Sequence, residues 1–345
     1  MPISPHLRVR RLGRLGHITL DRPAALNALD HGMIRGIRAA LEQWRTDTDV
    51  VAVVMAGTGR AFAAGGDIKV IAEALAAGDW PFIRAVYADE YRLDSAIHHY
   101  PKPVISFLDG IVMGGGAGIS ILGSHRVATG RTLFAMPEVT IGSHPDAGGS
   151  WFLPRLPDFV GRYLGLTGTT IGAADCLDAG LATHFVPAER LPALLADLAR
   201  DPASLEELLA RYGGPAGAPK LERQTIRRVF GGASLQAVLD ALADEVGPWA
   251  EATRQALAAA APTSLVATFQ QLQRGAGLDL ELALTYEYRL SLRMMAADDF
   301  REGVRALLID RDRAPRWRPA TLAEVETSAV DALSLPLGRE ELDFR

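Results

Sequence analysis

The chain predicts an α/β fold with a helical C-terminal region, and three observations carry that prediction. Strand-like and helix-like stretches alternate up to Phe152, with glycine turns between them. Val50-Val-Ala-Val-Val-Met55 is a nearly continuous β-branched run, the pattern of a strand covered on both faces. Beyond Phe152 apolar residues recur at helical spacing and strand patterns become brief. With 345 residues there is room for one large domain or a domain with an appendage. The expected division is a core over residues 1–205 that bears the functional turns and a helical extension over 206–345.

Taken in order, Leu7, Val9 and Arg11 alternate with Arg8 and Arg10, and Gly16-His-Ile-Thr-Leu20 alternates again. The Arg-rich start therefore reads as a hairpin turning in the Gly13–Gly16 region, not as a targeting segment. It lacks the apolar stretch of a secretion signal, and a cytoplasmic location is expected. Asn27 to Asp30 offer capping side chains before a helix with Met33, Ile34, Ile37, Leu41 and Trp44 on one face. Gly57-Thr-Gly59 closes the apolar strand. After the turn Ala64-Gly65-Gly66, Asp67 is placed to cap the next helix or offset its dipole. A longer helix spans Asp79 to Tyr100 and stops at Pro101-Lys-Pro103. Val104 to Phe107, Arg126 to Thr129 and Leu133 to Ala135 read as strands. Later helices are expected over 154–166, 173–179 and 191–199, with a brief strand at 182–186. A loop is expected between Asp201 and Pro219, where RYGGPAGAP is rich in Gly and Pro, and a helical tail follows.

Composition narrows the function classes. A net charge of -5 gives no general attraction for nucleic acid or an anionic membrane, so an anionic ligand must meet local basic groups. Arg22, Lys69 and Arg84 are the candidates, although each is read first as a solvated cation. One cysteine, Cys176, excludes an internal disulfide and a Cys-rich metal site. No apolar run is long enough for a membrane span.

The chemistry is concentrated between Gly110 and Gly149. Gly114, Gly115 and Gly116 sit between an apolar strand pattern and Ile119–Leu122, at a strand-to-helix turn. There the first helical amides have no intrahelical partner and lie at the positive end of the dipole, so they suit a developing oxyanion. The plain alternative is a tight turn. A second glycine turn, Gly65-Gly66, offers another amide. Glu138 and Asp146 stand in turns bounded by glycine and proline, where a carboxylate is otherwise solvated or caps a helix.

Phe62-Ala-Ala-Gly-Gly-Asp67-Ile68, Gly110-Ile-Val-Met-Gly-Gly-Gly116 and Phe134-Ala-Met-Pro-Glu138, with Ile141-Gly142 and Gly148-Gly149, resemble the crotonase (enoyl-CoA hydratase/isomerase) superfamily. With Pro145-Asp146, Tyr286-Glu-Tyr-Arg-Leu-Ser291, Asp299 to Ala306 and Asp310-Arg-Asp312, the likeness is greatest to its 3-hydroxyisobutyryl-CoA hydrolase family and covers nearly the whole chain. The resemblance implies a crotonase-like spiral of ββα repeats, a thioester of coenzyme A as substrate, and no separate cofactor or metal. It implies backbone amides of Gly66 and Gly115 as an oxyanion hole, Glu138 as general base or nucleophile, Asp146 as the second acid, and Glu90 as a substrate contact. For Glu90, a solvated helix charge is the alternative. The C-terminal helices would cover the acyl pocket or pack on another copy in a homo-oligomer.

Two departures matter. Hydratases of the superfamily carry a second catalytic glutamate inside the helix after the glycine triplet, and Gly118 occupies that position here. Hydrolysis is therefore favoured over hydration. Ser143 and His144 stand where the hydrolase has apolar residues, so either the acyl pocket is more polar than the family's or this turn faces outward, and the outward turn is the expectation preferred.

Overall fold

The computed structural model describes residues 4–344, which form two compact units, each assembled from three stretches of chain. One contains the chain up to Asp67, Arg92–Phe134 and Ile171–Leu221; the other contains Ile68–Tyr91, Ala135–Thr170 and the chain from Glu222.

The first unit holds the sheets. Its strands are β1 (Leu7–Leu12), β2 (Leu15–Leu20), β3 (Ala52–Gly57), β4 (Ala61–Ala63), β5 (Val104–Leu108), β6 (Ile111–Met113), β7 (His125–Ala128), β8 (Leu133–Ala135), β9 (Ile171–Gly172) and β10 (His184–Phe185). Six of them form one sheet in the order β1-β2-β3-β5-β7-β10, and the other four a second sheet, β4-β6-β8-β9. The predicted hairpin pairs Leu7 with Leu20 and Leu12 with Leu15. The successive pairs β3/β4, β5/β6 and β7/β8 each send their first strand to the larger sheet and their second to the smaller one. That repeat is what winds a ββα spiral.

The predicted burial of the Val50 run follows from this placement, since β3 has neighbours on both edges and Val53, Val54 and Met55 are sealed from water. Helix His31–Arg45 buries Met33, Ile34, Ile37, Leu41 and Trp44, and Asp30 caps it by accepting from the Met33 amide at 2.7 Å. The loop expected between Asp201 and Pro219 is shorter than the sequence suggests. Helix Leu205–Tyr212 occupies its first half, because Leu205, Leu208 and Leu209 join Leu15, Val54, Phe107 and Val127 in one core; only 213–222 lack regular structure. This helix crosses the 205/206 division drawn from composition.

β4 and β6 run parallel, so the turns that follow them, Ala64–Gly66 and Gly114–Gly115, leave the same end of the smaller sheet. Helix Gly115–Ile121 then backs onto β4 so closely that a Cβ on Gly116 would lie 2.3 Å from the Ala63 carbonyl oxygen. Backbone cannot swing aside as a side chain can. Gly116→Ala is expected to cost about 2–3 kcal/mol despite alanine's better helix propensity, measured by denaturant unfolding. An unchanged midpoint would refute the close approach.

The second unit is mostly helical. Helices Pro262–Gly275 and Leu280–Ala296 each bury most of their residues, and Tyr163, Phe230 and Trp249 form an aromatic cluster. Two glycines close the contact between distant motifs. A Cβ on Gly142 would lie 2.5 Å from the Asp299 carbonyl carbon, and one on Gly303 would lie 2.5 Å from that of Ile141. Among the described residues no helix is long and apolar enough to cross a membrane.

Candidate active site

The first unit supplies amides. Gly65 has φ +99° and Gly114 has φ 50° with ψ -128°, backbone that glycine adopts without steric penalty. The two turns press together, with a Cβ built on Gly65 falling 3.6 Å from the Gly115 nitrogen. Gly115 is the first residue of its helix, so its N–H precedes the intrahelical ladder. Among the described residues neither the Gly66 nor the Gly115 amide donates to another main-chain group in a turn, loop or cap. Position 118 lies in the buried interior of the same helix and carries no carboxylate.

Of the basic candidates, Arg22 is engaged with Asp67 at 2.5 Å and Arg84, in the second unit, with Glu340 at 3.2 Å. Lys69 is exposed.

The second unit gathers acids. Glu138 opens a 3-10 turn, Glu138–Ile141, whose end is shaped by Gly142 at φ 73°. Its side chain keeps some accessible surface, but Oε2 is sealed and has no hydrogen-bond partner among the described residues. Burial, then the Asp146 charge, raises its pKa well above the usual carboxylate value. Burial pushes Asp146 up to about 6. Glu90 is 4% exposed, so the solvated-charge alternative fails; burial and the charges of Asp146 and Glu287 push it to about 8. Tyr87 and Tyr91 face the same acids, and burial raises both phenols.

His144 corrects an expectation. The turn does not face outward at this residue, because His144 is fully buried between Gln271, whose Oε1 is 2.9 Å from Nδ1, and Ser291, whose Oγ is 3.0 Å from Nε2. Burial lowers its pKa to about 4. Ser291 Oγ is 2.8 Å from the Tyr91 hydroxyl, which in turn is 2.9 Å from Asp146 Oδ2.

Glu287 is the member sequence reasoning missed. Fully buried, it accepts from the Gly148 amide at 2.8 Å and the Ser150 amide at 2.7 Å, and it bonds the Ser150 hydroxyl. Burial still raises it to about 8. Its signal was present in the sequence, since Ala283, Leu284 and Leu290 lie three or four residues away and place a charge on the apolar face of that helix.

Chemically, the first unit offers unengaged amides for an anionic oxygen. The second offers carboxyl groups that burial keeps near the proton-exchange range of neutral solution.

Comparison with known proteins agrees with this chemistry. The family model described as enoyl-CoA hydratase/isomerase matches residues 15–333. The chain is 42% identical over 346 residues to 3-hydroxyisobutyryl-CoA hydrolase, mitochondrial, of Gallus gallus, covering 97% of this chain and 90% of the relative. It is 38% identical to 3-hydroxyisobutyryl-CoA hydrolase 1 of Arabidopsis thaliana, covering 94% and 90%. Among solved structures, a carnitinyl-CoA dehydratase from Mycobacterium thermoresistibile superposes with a TM-score of 0.94 at 37% identity, covering 99% of each chain. An enoyl-CoA hydratase from Rhodobacter sphaeroides 2.4.1 gives 0.89 at 38% identity, covering 98% and 99%. The cytoplasmic location expected from the sequence is overturned here, since the vertebrate relatives are named as mitochondrial proteins.

Proposed function

Since the chain belongs to the enoyl-CoA hydratase/isomerase family, we propose that it hydrolyses the thioester of 3-hydroxyisobutyryl-CoA, or of a close 3-hydroxyacyl-CoA, to the free acid and CoA. The observation that carries this reading is a glutamate with one oxygen sealed and unpartnered among the described residues, Glu138, in a chain with no second carboxylate at position 118. Adding water across a double bond uses two acids around the reacting carbons, whereas opening a thioester uses one carboxylate and a receptor for the oxyanion.

In this reading the Gly66 and Gly115 amides receive the carbonyl oxygen as it gains charge, and losing one such donor costs ~3 to 4 kcal/mol of transition-state stabilisation. Glu138 removes a proton from water or attacks the carbonyl carbon itself. Desolvation favours either role, because a carboxylate without solvent is more basic and more nucleophilic. Asp146 manages the proton that ends on the thiol or meets the 3-hydroxyl, and Glu90 contacts the acyl group. Hydrolysis of this ester belongs to valine breakdown.

The names of the two solved structures motivate a second reading, hydration or dehydration. A thiol-reactive dye separates the two readings, since neither hydration nor isomerisation liberates a thiol. With a panel of 3-hydroxyacyl-CoA esters, thiol release should be fastest on the branched 3-hydroxyisobutyryl ester. Absence of release across the panel, or an acyl-CoA that binds and survives intact, would refute the hydrolase reading.

A further inference from the structure

The chain Gln271, His144, Ser291, Tyr91 and Asp146, buried up to its half-buried aspartate end, has a direction that donor and acceptor counting fixes. Gln271 Nε2 donates to the Pro145 carbonyl, so its Oε1 faces His144. His144 Nδ1 therefore looks at two acceptors, Gln271 Oε1 at 2.9 Å and the Pro145 oxygen at 3.3 Å, and must carry the proton. In a neutral imidazole Nε2 is then an acceptor, and the Ser291 hydroxyl must donate to it across 3.0 Å. Having spent its only proton, Ser291 Oγ accepts from Tyr91 across 2.8 Å. The Tyr91 hydroxyl has no second proton for Asp146, 2.9 Å away.

We infer that His144, through Ser291 and Tyr91, favours the acid form of Asp146, with the proton on Oδ2 then directed at the Tyr91 oxygen. An ionised Asp146 would reverse Tyr91 and leave either His144 Nε2 or the Ser291–Tyr91 contact without a proton, so one buried hydrogen bond is lost. The remaining arrangement with every bond made puts the proton on His144 and separates two charges in a dry interior, which burial opposes. The groups facing Asp146 act in the same direction. Glu90, Tyr87 and Tyr91 face it from helix Trp80–His98, Glu138 from its 3-10 turn, and Glu287 from helix Leu280–Ala296, all acidic groups whose ionisation an anionic Asp146 would oppose. His144, Ser291 and Tyr91 are thus positioning residues, and Asp146 enters the reaction able to give a proton.

The inference rests on the reading of Asp146 as a proton-handling group of the hydrolase, but its test needs no turnover. In the full-length chain with 13C-labelled aspartate carboxyls, infrared difference spectra against Asp146→Asn isolate the Asp146 C=O stretch. The acid band is expected to persist well above the ordinary aspartate range, up to about pH 6. In Ser291→Ala, Tyr91 is released to donate to the carboxylate, and the titration midpoint should fall by up to about one pH unit. A wild-type midpoint at the ordinary aspartate value, or a midpoint in Ser291→Ala that is unchanged or higher, overturns the inference. So does a 15N signal for His144, identified by its loss in His144→Gln, that reports imidazolium or an Nε2–H tautomer in place of neutral Nδ1–H. An inactive chain with the raised midpoint refutes the hydrolase reading alone, and an active hydrolase whose Asp146 titrates as an ordinary aspartate refutes this inference alone.

Discussion

Replacing Glu138 by Gln is expected to lower thiol release by about 10²- to 10⁴-fold while raising stability at alkaline pH. The two effects share one cause. Glu138 is a carboxyl whose Oε2 finds no partner in a sealed position, and burial lifts its pKa well above 4.5. Between its unfolded and folded pKa values the native state holds a proton that the unfolded chain releases, so stability falls as pH rises through that window. The penalty is complete only above the folded pKa. Glu90 and Glu287, at about 8, and Asp146, at about 6, contribute with the same sign. Wild-type denaturation midpoints should therefore drop from mildly acidic pH to about 8, and the Glu138→Gln variant should drop less. Full thiol release by the variant would remove Glu138 from the chemistry. A wild-type midpoint that climbs with pH would contradict the burial argument.

What was legible beforehand follows from how far each interaction reaches along the chain. The hairpin and the Asp30 cap depend on neighbours within a few residues, and each formed where the pattern put it; the Val50 run also gave a strand, but over Ala52–Gly57, where β2 and β5 flank it. The Gly115 amide was readable as unpaired because a helix leaves its first N–H groups without an intrahelical partner, whereas Gly66, ahead of helix Ile68–Ala77, was picked out by its glycine turn and the motif resemblance. His144 misled because a polar residue between glycine and proline ordinarily meets water. Its partners lie 127 and 147 positions away, on helices whose inward faces no local pattern identifies. Arg22 shows the same limit, since Asp67, 45 positions on, takes it as an ion pair. Helix Leu205–Tyr212 was hidden by the adjacent Gly/Pro run, although Leu205, Leu208 and Leu209 already carried helical spacing.

Glu287→Ala is expected to produce the largest loss of stability, about 3–6 kcal/mol, and to lower activity with it. The carboxyl is the acceptor for two buried main-chain amides, Gly148 and Ser150, and for the Ser150 hydroxyl, and each donor orphaned in a dry site costs about 1–3 kcal/mol. The cavity left by the side chain adds to that. Glutamine repairs part of this, because its oxygen turned to Ser150 still accepts from the amide and the hydroxyl while its NH2 faces the Gly148 N–H it cannot accept, whereas a protonated carboxyl oxygen still offers a lone pair. Glu287→Gln should therefore fall between alanine and wild type in urea midpoint. The activity loss follows from where the clamp acts. Asp146 sits two residues before Gly148, and Ala147 between them is held at φ 51°, a left-handed conformation costly for a residue with a Cβ. Such a conformation persists only while both sides are pinned, by Tyr91 on the Asp146 carboxyl and by Glu287 on Gly148 and Ser150. Releasing one side lets Ala147 relax and carries Asp146 out of register. A Glu287→Ala protein with wild-type thermal stability, or one less stable but with an unchanged kcat, would show that Glu287 does not hold the Asp146 turn.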